Sequence, residues 1–84
     1  MSDAEYEILD ELYFIKTFGE LQGLFMSGEF HLEEELWKLI QKEWVKILGD
    51  QDEEIVLEKD EFMEQKTKFR FNATKKGLMA HNQV

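Results

Sequence analysis

Cysteine and proline are both absent from this chain of 84 residues. Without cysteine there are no disulfide staples and no thiol nucleophile. Long apolar runs are missing too: the longest is Leu12 to Ile15, four residues, where a membrane span needs about 20. Met1 to Asp10 contain acids but no lysine or arginine, the opposite of a signal peptide's basic start, so a cytoplasmic protein is expected. Acids, in turn, are missing from residues 66 to 84. All 19 lie in residues 1 to 65 beside five lysines, which gives that part −14, while the other five basic residues give the remainder +5. The whole carries −9, and its 43% hydrophobic and 13% aromatic content can build one buried core, against intrinsic disorder. The length fits a single domain over residues 1–84.

Helical spacing opens the chain. Ser2 and Asp3 are good N-caps, and Tyr6, Leu9, Leu12 and Tyr13, with Ile8 beside them, predict a first helix to about Ile15. Thr17 followed by Glu20 is a capping box for a second helix over Phe18 to Phe25, with Phe18, Leu21, Leu24 and Phe25 inward. Ser27-Gly28 is a turn signal. Leu32, Leu36, Leu39 and Ile40 give the third helix the strongest period in the sequence. Trp44 to Leu48 reads as a short strand, and Lys68 to Asn72 alternates as a second, with Phe69 and Phe71 toward the core. Thr74 caps a last helix through about His81. Residues 49–67 read as a long acidic loop, with Ile55-Val56-Leu57 as its one β-favouring run and Phe62-Met63 able to form a turn of helix. The expected class is α+β, mainly helical.

Helix, helix, turn, helix, strand, long loop, strand and Thr-capped helix is an order that resembles winged helix-turn-helix regulators. The local motifs that carry the resemblance are Thr17-Phe18-Gly19-Glu20-Leu21, Leu36 through Ile40 followed by Trp44-Val45, and Phe69 through Thr74-Lys75-Lys76-Gly77-Leu78. The likeness covers residues 5 to 81 and implies three helices, a two-stranded wing and a C-terminal helix. Three features depart from it: Glu43 stands where a glycine commonly ends the third helix, the wing is long, and the recognition helix would begin His31-Leu32-Glu33-Glu34-Glu35.

Function is less legible. DNA affinity rests on Lys and Arg displacing counterions from phosphates, and a −9 chain with three leading glutamates has the wrong sign. Those glutamates suit a helix N-terminus, where carboxylates face the macrodipole. A dimeric DNA-binding regulator is the alternative expectation, with contacts from Lys38, Lys68, Arg70, Lys75 and Lys76. Asp50 to Glu61 has oxygen side chains at EF-hand positions 1, 3, 5, 9 and 12, but Ile55 occupies the sixth, which needs glycine, so no metal is expected. His31 and His81 read as surface or capping residues, no phosphate-binding glycine spacing is present, and neither catalysis nor a cofactor is expected. The leading expectation is a small non-enzymatic protein-interaction module, regulatory in role. It would contact a protein partner or a second copy as a homodimer, through Phe30, Trp37, Lys75 and Lys76. For Trp37 and Trp44 packing is the first reading, and Trp37 would serve an interface if it is partly exposed.

Overall fold

A computed structural model describes residues 1–26, 28 and 30–83. Ser2 starts α1 (Asp3–Glu11): its hydroxyl accepts from the Glu5 N–H while the Glu5 carboxylate accepts from the Ser2 N–H. Ile8, Leu9 and Leu12 form the buried face, whereas Tyr6 and Tyr13 remain partly exposed. The helix stops short of the expected Ile15 because the chain must extend into β1 (Lys16–Thr17). Thr17 and Glu20 then cap α2 (Phe18–Leu24) as the sequence predicts. Phe18 and Leu21 point inward, but Leu24 is about half exposed and not part of the core. Ser27 of the expected turn lies outside the described residues, while Gly28 takes a φ of 73°.

α3 (Leu32–Gln41) buries Leu32, Leu36, Trp37 and Leu39. Its end uses Glu43 in the left-handed region, φ 64°, with the Glu43 N–H donating to Ile40 and the Trp44 N–H to Leu39. This is a Schellman ending, so Glu43 adopts the conformation for which glycine is the usual choice.

Four antiparallel strands follow the order β1-β4-β2-β3, with β2 at Val45–Leu48, β3 at Glu54–Ile55 and β4 at Arg70–Ala73. The expected two-stranded wing is thus corrected to a four-stranded sheet; β1 and β3 have two residues each, too few to show a sequence period. Phe71 and Ala73 face the core from β4, which starts two residues and ends one residue later than the predicted strand, and Phe69 packs against the core just before it. The Leu12 carbonyl accepts from both the Ala73 N–H and the Asn72 side-chain amide, each at 2.9 Å, which ties α1 to the sheet.

The expected loop at 49–67 is the largest correction. It is a hairpin turn, β3, then α4 (Lys59–Gln65) and a 3-10 turn (Lys66–Lys68), which with α5 (Lys75–Asn82) gives five α-helices among the described residues. Phe62 holds α4 in place: fully buried, its ring stacks on Trp37 at 5.3 Å and meets the edge of Phe71 at 6.0 Å. At the start of α4 the Glu58 N–H donates to the Glu61 carboxylate at 3.0 Å, a pairing concealed by having an acid rather than a hydroxyl at the N-cap. Among the described residues no helix is long and apolar enough to cross a membrane.

Candidate functional site

The end of α3 and the start of α5 are bound together by Thr74. Its N–H donates to the Trp44 carbonyl at 2.9 Å, its hydroxyl donates to the Glu43 carbonyl at 2.6 Å, and the same oxygen accepts from the Gly77 N–H at 3.0 Å. Gly77 is needed there because a Cβ would lie 2.1 Å from the Trp44 carbonyl oxygen. This junction sets Lys75 and Lys76 on the surface, each exposed and free of ion pairs among the described residues. On one side of them lies a shallow recess with Trp44, Met79 and Ala80. On the other is a groove of about 580 Å³ between α3, β2 and the chain after β3, walled by Trp37, Ile40, Val45, Val56 and Leu57.

The other expected interface residues lie elsewhere. Trp37 is only 9% exposed and stacked on Phe62, which fits packing; its remaining edge touches the groove. Phe30 leans on Phe25 at 5.3 Å and lines a different recess with Met26 and His31.

Two of the residues singled out for DNA, Lys38 and Arg70, are engaged within the chain. Lys38 pairs with Glu35 at 3.5 Å, and Lys68 is exposed on the 3-10 turn. Arg70 pairs with Asp52 and donates to the carbonyls of Gly49 at 3.0 Å and Asp50 at 3.3 Å. Glu33, Glu34 and Glu35 occupy the first turn of α3, and Glu34 pairs with Lys59 at 3.4 Å. In residues 50–61 the Asp52 N–H donates to Gly49 in a turn with φ 61°, and Ile55 belongs to β3. No group of three or more His, Asp or Glu side chains among the described residues is placed to hold a metal ion.

His81, expected at the surface, is buried. It stacks on Tyr6 with ring centroids 4.2 Å apart, its Nδ1 lies 2.9 Å from the Tyr13 hydroxyl, and its Nε2 lies 3.5 Å from Asp10. The signal was available: Tyr6, Asp10 and Tyr13 are spaced to share one side of the first helical segment. Glu5 was overlooked as well. Burial would raise its carboxyl, but the Lys42 ammonium and the Ser2 N–H and hydroxyl bonded to it outweigh that and hold it below the usual glutamate range. Comparison with protein-family models, curated proteins and solved structures finds no match for this chain.

Proposed function

We propose that this chain is a small winged-helix-like interaction module that works by binding another protein and not by catalysis. Its contact surface is centred on Lys75 and Lys76. The observation that carries this reading is a local reversal of sign: two exposed lysines without ion pairs among the described residues stand beside apolar Met79 and Trp44 on a chain of net −9. Opposite charge steers such an encounter, and burial of the aromatic and the methionine holds it. A lysine-centred patch suits a partner, or a second copy, that presents an acidic surface to it.

The winged-helix part of the reading is supported by the order of α1, α2, α3, β2, β4 and α5, and by Glu43 taking the conformation expected of glycine. The excursion through β3 and α4 replaces an open wing. DNA binding is the weaker reading, since Arg70 is engaged within the chain and three glutamates open α3. A photo-crosslinking amino acid at Met79, used in the native cells, should trap a discrete protein adduct that disappears with Lys75→Glu plus Lys76→Glu. A crosslinker at exposed Glu64 should not. Adducts that persist in the double variant, or tight DNA binding that weakens steeply with salt, would overturn the reading.

A further inference from the structure

The strand order leaves β3 at an edge of the sheet, paired with β2 on one side only. In an antiparallel ladder, successive residues turn their N–H and C=O to opposite sides. The Gly49 N–H donates to the Glu53 carbonyl, and Ile47 with Ile55, two positions further along each strand, repeats that pairing, so 53 and 55 face β2. A trans peptide points its N–H and C=O in opposite directions, which turns the Glu54 N–H, the Glu54 C=O and the Val56 N–H outward. None of the three has a protein partner among the described residues. They are also open to solvent: Glu54 is exposed and Val56 is 92% exposed, while Ile55 and Leu57 anchor the segment by packing against the core.

We propose that this outer edge of β3 receives an extended basic segment of another protein, which adds to the sheet as a further strand. The surface is separate from Lys75 and Lys76, and the proposal does not rest on their reading. A free donor and acceptor on Glu54, with a second donor two residues on, are the groups that strand addition uses. Side chains two positions apart share a face, so Glu54 and Val56 set a carboxylate beside an apolar anchor. A partner running antiparallel, the direction of every other pair in the sheet, places an apolar residue opposite Val56 and, two residues later, a lysine or arginine opposite Glu54. Charge favours that partner: residues 50–61 hold seven acids and one lysine, Lys59 already pairs with Glu34, and Glu54 and Glu58 have no ion pair among the described residues. Lys46, Lys75 and Lys76 line the groove on the β2 side, and the open edge faces the other way. A second copy does not fit, because pairing β3 with its twin sets acid against acid. The chain's own basic residues lie in or at the ends of helices, in the inner strands β2 and β4, or in β1, whose far edge closes where Thr17 caps α2. The occupant is therefore a different protein.

A phage-displayed library of random nine-residue peptides, selected on the intact chain, tests this. Enriched peptides should carry an apolar residue followed two positions later by lysine or arginine. Val56→Pro removes an outward N–H without touching a bond between β2 and β3, and Glu54→Lys reverses the charge; each should weaken binding at least about tenfold, the scale of one lost hydrogen bond or charge contact. Lys75→Glu plus Lys76→Glu should leave it unchanged. Hydrogen exchange of the Glu54 and Val56 amides should slow in the complex, while the Ile55 amide, already bonded to β2, should change little. An unchanged melting temperature confirms that each variant is folded, and if Val56→Pro melts early the Glu54→Lys result decides. No enrichment, enrichment of acidic peptides, equal binding to Glu54→Lys, weaker binding to the lysine double variant, or unchanged Glu54 and Val56 amides would each overturn the proposal. The Met79 adduct reads the other surface, so either proposal can fall while the other stands.

Discussion

Glu43 occupies a backbone conformation that costs a residue with a Cβ about 1 kcal/mol, and its side chain makes no hydrogen bond or ion pair among the described residues in return. Glu43→Gly should therefore raise stability by about 0.5–1 kcal/mol in urea unfolding, despite the greater freedom that glycine gives the unfolded chain. Gly77 presents the opposite case. Gly77→Ala puts a methyl against the backbone of Trp44, which is pinned by Thr74 and cannot move aside as a flexible side chain would. A loss of about 3 kcal/mol is expected, read as a fall in melting temperature of about 12 °C or more. Glu5 gives the fold a pH dependence of known sign. A carboxyl held low in the folded state contributes stability above its unfolded pKa, and that contribution is lost as pH falls through its folded value. Glu5→Gln should accordingly cost about 1 kcal/mol at neutral pH and progressively less as the pH is lowered below the usual glutamate range, measured by urea unfolding across a pH series.

Elements with a hydroxyl cap and a sustained apolar period were legible in advance. α2 begins at the Thr17 cap, α3 follows its leucine spacing, and α5 follows Thr74. α4 was legible only as the turn at Phe62-Met63, because its seven residues fully bury one side chain, Phe62, and one point has no period. Its capping pair is also lost among acids that look merely solvated. The site shows the same division. Lys75 and Lys76 could be chosen from charge alone, whereas the groove beside them depends on where the chain runs after β3, of which the sequence showed only the β-favouring run Ile55-Val56-Leu57. Phe62→Ala should cost about 3–5 kcal/mol, because the cavity would open between Trp37 and Phe71. Val56→Ser, at a side chain 92% exposed, should change stability by less than about 0.5 kcal/mol, and the two melting curves together test whether 49–67 is structural.

Across the whole molecule, charge and topology are arranged differently. Charge divides the chain in sequence, yet α5 from the basic end packs on acidic α1, with His81 between Tyr6 and Asp10. The sheet likewise joins distant parts, since β4 lies between β1 and β2 and pairs with both. Its place in that order governs how the molecule is made. As the chain leaves the ribosome, β1 and β2 have no common neighbour until residues 70–73 emerge, so four helices and a hairpin must wait with the edge of β2 that faces β4 open to water. Such late, long-range closure slows folding and exposes the waiting segment to aggregation. A chain ending at residue 69 should give no cooperative melting transition, and nascent chains stalled before residue 70 should be cleaved by protease where those carrying β4 are protected.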